Sequence, residues 1–285
     1  MQPVESSEID TLTYIAAEKA YGRGELDEAK KAFENYLQNY PAGAFRLNSY
    51  YYKGLICYNQ GAKDEAVGNF EKVLEFPNNQ YREEAMVVAA EIYYDDKAYD
   101  KASALYKQIA DESSNEERQK VALTRVLHIA IEQESHNDII QYATRIENQE
   151  NVSPELKREA ALYRAKSYLA KENRDKAFEE FDKLAADTRT KEGAEAKYLV
   201  AQMLFDEKSY DFCEDEINEF IEMSTPHTYW MARSFILLAD LYTAQDKTLE
   251  AKQYLLSLQN NYDGDDDIAG MIEERLKRIS TANKK

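Results

Sequence analysis

The sequence predicts an all-α fold, a right-handed α-solenoid of about seven helix pairs closed by a C-terminal capping helix. Three observations carry the prediction. One set of residue types recurs every 36–38 residues from Ala29 to Ala251. Glycine (9) and proline (5) are scarce among the 285 residues, which favours helices joined by short turns. Hydrophobic residues make up 44% and charged residues 32%, the balance of a chain that folds and stays soluble.

The register is anchored in the stretch Gly54–Phe70. Taking Ala66 as reference, its equivalents are Ala29, Ala102, Ile139, Ala177, Cys213 and Ala251. Four residues after each anchor stand Phe33, Phe70, Tyr106, Ala143, Phe181, Ile217 and Leu255. Seven after stand Tyr36, Val73, Ile109, Ile146, Leu184, Phe220 and Leu258. Twelve before stand Ala17, Gly54, Ala90, Leu127, Ala165, Ala201 and Ala239. The anchor and the positions four and seven beyond it share one helix face. The position twelve before lies on a preceding helix, and small residues there let the two helices approach closely. Internal repetition at this period marks a solenoid.

The elements follow in order. The whole chain, 1–285, reads as one solenoid with repeats at about 8–43, 44–79, 80–112, 114–150, 153–188, 190–224 and 225–262. Paired helices turn at Gly22–Glu25, Gln60–Lys63, Asp95–Ala98 and Glu172–Arg174. Ser153-Pro154 and Thr225-Pro226 read as N-cap plus proline starts. A last helix, 265–281, carries Ile268, Ile272, Leu276 and Ile279 on one face, as a polar-backed cap requires. Asn283–Lys285 are expected to fray.

Charge and side-chain chemistry narrow the function. The net charge of −18 and a sequence pI near 4.7 argue against nucleic acid and against anionic lipid. Without an apolar run near the ~18 residues a spanning helix needs, no membrane insertion is expected. The start MQPVESSEID lacks the basic-then-apolar pattern of a signal peptide. Cys57 and Cys213 fall four repeats apart at core positions and are expected as buried, unpaired thiols. His128, His136 and His227 lack metal-ligand spacing. Gly22-Arg23-Gly24 is a turn, and Asp263–Asp267 complements a helix N-terminus. No catalytic constellation emerges, so no enzyme, cofactor or metal is expected.

The small-residue, aromatic and turn positions resemble the tetratricopeptide repeat family. Tyr93, Tyr168 and Tyr242 fill that family's aromatic place in the first helix, and Pro41 its terminal proline. The period runs slightly long, and the fourth repeat (Leu127, Ile139, Ala143) departs from the pattern. The long period and segments such as EKAYGRGELDEAKKAFENYLQNYP are similar to envelope-associated members from Gram-negative bacteria. The resemblance implies a non-catalytic scaffold that binds a partner protein or peptide in a groove lined by the first helix of each pair. Its narrower form implies a bacterial envelope or periplasmic setting, in envelope assembly or maintenance, and a chain that is a piece of a longer repeat protein. The groove positions carried over are Tyr14, Glu18, Tyr21, Tyr51, Tyr58, Glu91, Tyr94, Tyr198 and Phe205. Some members clamp a carboxylate with Lys and Asn; here those places hold Tyr14, Glu18, Asn48, Tyr51 and Leu55, with no lysine.

Two readings of these tyrosines stand side by side. They can hold a protein segment, since Tyr gives large contact area with little rotamer freedom to lose. Alternatively they stack a glycan or small ligand, with Asn59, Glu91 and Asp95 as polar neighbours. Trp230 reads either as a junction anchor or as a surface contact. Self-association is expected, if anywhere, at the solenoid ends, above all the uncapped N-terminal face of the first repeat.

Overall fold

Residues 6–282 are described by a computed structural model; the expected fraying of Asn283–Lys285 lies outside them. Among the described residues there are fifteen helices and no strand. They are α1 (Ser6–Gly22), α2 (Leu26–Asn39), α3 (Arg46–Asn59), α4 (Lys63–Leu74), α5 (Arg82–Asp95), α6 (Tyr99–Glu112), α7 (Glu116–Glu132) and α8 (His136–Glu147). There follow α9 (Pro154–Ala170), α10 (Arg174–Ala185), α11 (Lys191–Asp206), α12 (Tyr210–Glu222), α13 (Thr228–Ala244), α14 (Thr248–Asn261) and α15 (Ile268–Ala282). The chain divides into two compact units, Met1–Ile129 and Ala130–Lys285, the division falling within α7. In the first, α1 to α6 pack in chain order; in the second, α8 to α15 do the same.

The repeating columns are the core. All seven anchors are buried, six of them with no exposed surface at all. Phe33, Phe70 and Phe181, four residues on, are likewise fully buried. The need for small residues twelve before the anchor shows most directly at Gly54. A β-carbon there would stand 2.9 Å from Phe70 Cε1, inside van der Waals contact. The absent side chain is what lets α3 and α4 close on each other.

Each turn within a pair is the same turn. Five residues before every anchor the backbone enters the left-handed region: Gly24, Gly61, Lys97, Glu134, Glu172, Lys208 and Asp246, with φ between 52° and 77°. At each, two N–H groups return to the preceding helix. In the second repeat, Gly61 N donates to Tyr58 O at 3.0 Å and Ala62 N to Cys57 O at 2.9 Å. This paired closure satisfies carbonyls that a helix C-terminus otherwise leaves open. Only two of the seven positions carry glycine, the residue that adopts this conformation without steric penalty.

Local chemistry sets the other boundaries. Ser153 Oγ accepts from Leu156 N at 3.2 Å with Pro154 at the first helical position, as the N-cap reading requires. Thr225-Pro226 departs from the expectation. Thr225 Oγ1 instead accepts from His227 N at 3.1 Å and donates to Thr188 O at 2.6 Å. That local turn holds the chain out of helix until Thr228.

The second unit carries buried ion pairs between its helices. Arg164 in α9 is 4% exposed and bonds Glu147 of α8 (2.5 Å) and Glu180 of α10 (2.6 Å). Burial opposes the Arg164 charge, and bonds to both carboxylates more than offset it. Lys197 in α11 is 5% exposed and bridges Glu216 and Glu219 of α12 at 2.9 and 2.7 Å. At the end of the chain, α15 buries Ile268, Ile272 and Ile279 against α13 and α14. Arg275 clamps Asp240 of α13 through its Nε and Nη2, at 2.8 and 2.7 Å, and Asp266 Oδ1 accepts from Ile268 N at 3.0 Å. Cys57 and Cys213 are free and buried, and burial pushes the Cys213 thiol up to about 12.

Candidate functional site

The first helix of each pair presents three columns: positions fifteen, eleven and eight before the anchor. The structure separates them sharply. The ring column, fifteen before, is interior. Tyr14 is 3%, Tyr51 7% and Tyr198 6% exposed. At these three the rings pack inside the fold instead of lining an open groove. The cause is a column the sequence reading passed over, twenty-one residues before the next anchor. Tyr14 stacks on Phe45 with ring centres 4.4 Å apart. Tyr51 stacks on Tyr81 at 4.0 Å, and Tyr198 tilts against Trp230 at 5.5 Å. Each ring is covered by the start of the following first helix. Trp230 is thereby a junction anchor, and Arg233 Nη2 donates to Tyr198 OH at 3.0 Å beside it.

What these tyrosines offer the surface is their hydroxyls and the carboxylates they hold. Tyr14 OH donates to Glu18 at 2.9 Å, and Tyr51 OH to Glu84 at 2.6 Å. Burial, followed by these bonds to anions, raises both phenols well above their ordinary value. Glu18 and Glu84 are exposed. Glu91 stands at the same register position as Glu18, is half-buried, and has no hydrogen bond or ion pair among the described residues. The first unit therefore carries Glu18 on α1 and Glu84 and Glu91 on α5. Asn48, which stands at one of the family's clamp positions, is already committed: its Nδ2 donates to Tyr81 OH at 3.0 Å.

The remaining predicted residues lie near the C-terminal ends of first helices. Tyr21 is half-buried, 4.9 Å from Tyr52. Tyr58 is 37% exposed. Tyr94 is half-buried beneath the guanidinium of Arg125, 4.3 Å from its ring centre. Phe205 is half-buried, 5.7 Å from Tyr210. The structure gathers Tyr14, Glu18, Tyr21, Tyr51, Tyr58, Glu91 and Tyr94 in the first unit and Tyr198 and Phe205 in the second.

The aromatic pairing fails at one place in the first unit. In the third repeat the ring position is Val87, and its counterpart at the start of α7 is Arg118. A cavity of about 200 Å³ opens there between α5, α6 and α7. Val87, Ile109 and Val121 give it apolar walls, with Glu91, Tyr106, Glu117 and Arg118 as its polar groups. Arg118 Nη1 pairs with Glu83 at 3.1 Å. Tyr106 is 2% exposed, and its hydroxyl has no hydrogen-bond partner among the described residues. In the second unit a larger, shallow cleft of about 530 Å³ lies between α12 and α14, walled by Tyr242 and Tyr254 with Glu214, Lys247 and Gln253. No group of acids, histidines and cysteines suited to a metal ion occurs among the described residues, and no helix there is long and apolar enough to cross a membrane.

Comparison with known proteins agrees with this architecture. Residues 14–42 match the tetratricopeptide repeat family. By sequence, no curated protein matches the chain. In backbone it is similar to a tetratricopeptide repeat protein from Parabacteroides merdae ATCC 43184, at 16% identity over 94% of this chain and 98% of that one, with a TM-score of 0.42. It is similar to a chain in the structure of Naa15/Naa10 bound to HypK-THB, at 15% identity over 94% of this chain and 39% of that one, with a TM-score of 0.55. It is also similar to the yeast Sti1 TPR2AB-domain in its pHSP90 complex, at 16% identity over 97% and 95%, with a TM-score of 0.37. The match over residues 14–42 and the backbone likeness at 0.55 identify the repeat and the fold.

Proposed function

We propose that this tetratricopeptide-repeat chain is a non-catalytic scaffold that holds a protein or peptide partner along the first helices of residues 6–129. The fold is one used generally for protein–protein interaction. The observation that carries the reading is the set of carboxylates Glu18, Glu84 and Glu91 on the first helices α1 and α5. Two of these are oriented by tyrosine hydroxyls and the third is unpaired. Acids fixed by buried phenols are preorganised acceptors, which lowers the ordering cost of binding. They select a partner segment bearing lysine or arginine. The envelope setting implied by the family resemblance is part of this proposal, as is self-association through the N-terminal face. There Ile9 and Leu12 are 46% and 64% exposed.

The test is affinity capture with the wild-type chain and with Glu18→Lys/Glu84→Lys/Glu91→Lys, followed by direct titration of whatever is enriched. A partner bound by the wild type and weakened about tenfold or more by charge reversal supports the reading. A partner held equally by both chains contradicts it. A second reading, glycan or small-ligand binding, draws on the cleft beside Tyr242 and Tyr254. Those two rings stack at 5.5 Å and Tyr242 OH donates to Glu214 at 2.6 Å. Calorimetry against oligosaccharides, with Tyr254→Ala as control, decides it.

A further inference from the structure

We infer that the cavity between α5, α6 and α7 is a socket for a single tyrosine side chain of the partner. This deepens the interaction reading and rests on it for the occupant's being part of a protein.

At the equivalent junctions after the first and second repeats, the space beside the first helix is filled by an aromatic ring of this same chain: Phe45 on Tyr14 and Tyr81 on Tyr51. The Tyr198–Trp230 pair of the second unit is a third example. After the third repeat, both partners of the pair are replaced, by Val87 and Arg118. The helices keep their register, since Ala90, Ala102, Tyr106 and Ile109 stay buried as their counterparts do. A ring-sized volume is therefore left without a ring. Its size, about 200 Å³, exceeds the roughly 150 Å³ that admits a benzene molecule in a protein interior.

The polar groups say which ring. Tyr106 OH is buried without a partner, and leaving such a group unsatisfied is unfavourable. Glu91 lines the same cavity with an unpaired carboxylate. A phenol entering ring-first meets a hydroxyl that can donate to its oxygen and a carboxylate that can accept its proton. Phenylalanine would fill the volume and satisfy neither. Val121, on the cavity wall, is 48% exposed to solvent.

The test uses the full chain with its Val and Ile methyl groups labelled for NMR, titrated with N-acetyltyrosinamide and N-acetylphenylalaninamide. Saturable shifts at Val87, Ile109 and Val121 are expected in the millimolar range, with the tyrosine compound bound several-fold more tightly. Tyr106→Phe should remove that preference while the fold persists by far-UV circular dichroism. Val87→Tyr/Arg118→Tyr, which restores the ring pair, should abolish binding and keep or raise the melting temperature. Absence of shifts at these methyls, equal affinity for the two compounds in the wild type, or binding that survives the restored pair would each overturn the assignment. Because the titration needs no partner protein, a failed socket leaves the carboxylate reading standing, and a failed partner capture leaves the socket measurable.

Discussion

Gly54 lies so close to Phe70 that a β-carbon on it would stand 2.9 Å from the Phe70 ring. Gly54→Ala gains helix propensity, worth about 1 kcal/mol, and meets a clash whose relief in a packed core costs about 1–3 kcal/mol. The net expectation is destabilisation, read as a lower denaturant midpoint. Phe70→Leu frees the contested space. The Gly54→Ala/Phe70→Leu pair should therefore lose less stability than the sum of its single changes, by about 1 kcal/mol in a double-mutant cycle.

The seven left-handed turns give a second prediction. Glu172 and Lys208 hold φ of 59° and 60° without being glycine. Glu172→Gly and Lys208→Gly should each stabilise the chain by about 1 kcal/mol. Gly61→Ala, at the same turn position, should destabilise it by a similar amount. Thermal melts of the three variants compare the signs directly.

Arg164 gives a third. Replacing it with Met strands Glu147 and Glu180 beside each other, one of them mostly buried. A loss of about 3 kcal/mol is expected at neutral pH. Hydrogen bonding to Arg164 holds the Glu147 carboxyl below its ordinary value. A depressed carboxylate contributes stability that is present above its unfolded value and lost as pH falls through its folded one. The gap between wild type and Arg164→Met should thus narrow as pH drops below the usual carboxylate range. Denaturant titrations across that range measure it.

The burial of the tyrosines gives a fourth. Tyr36, Tyr52 and Tyr106 are pushed up to about 12, chiefly by burial. For such a group the folded state favours the neutral phenol. Its contribution is complete below pH 10 and lost as pH rises through 12. Ultraviolet titration should show a set of phenols ionising only well above pH 10, with Tyr106→Phe removing one phenol from it.

The sequence made the columns legible because period and residue size are written into it. Ala29 through Ala251, the aromatic wedges and the α15 face all pack as the 36–38-residue spacing requires. Four of the seven turns were legible, around Gly24, Gly61, Lys97 and Glu172, but their left-handed backbone only at the two glycines. Lys97, Glu134, Glu172, Lys208 and Asp246 adopt the same conformation because the two helices impose it, and nothing in their side chains announces it. The burial of the candidate tyrosines was not legible, for a related reason. Helical spacing placed Tyr14, Tyr51 and Tyr198 on one face, but which neighbour covers that face depends on a second helix. Phe45, Tyr81 and Trp230 share a register position that the spacing could have revealed. That column lacks a ring at Arg118, Leu156 and Glu192, and the gap at Arg118 acquires meaning only once Tyr106 is seen buried beside it.

The account's central claim is that the first-helix face of residues 6–129 holds a protein segment through fixed carboxylates. The measurement that tests it most directly is selection from a displayed random-peptide library on the intact chain, followed by titration of the enriched peptides. The account predicts sequences rich in lysine or arginine, bound by the wild type and weakened about tenfold or more by Glu18→Lys/Glu84→Lys/Glu91→Lys. Enriched peptides lacking basic residues, or basic peptides whose affinity is unmoved by the charge reversal, would contradict it.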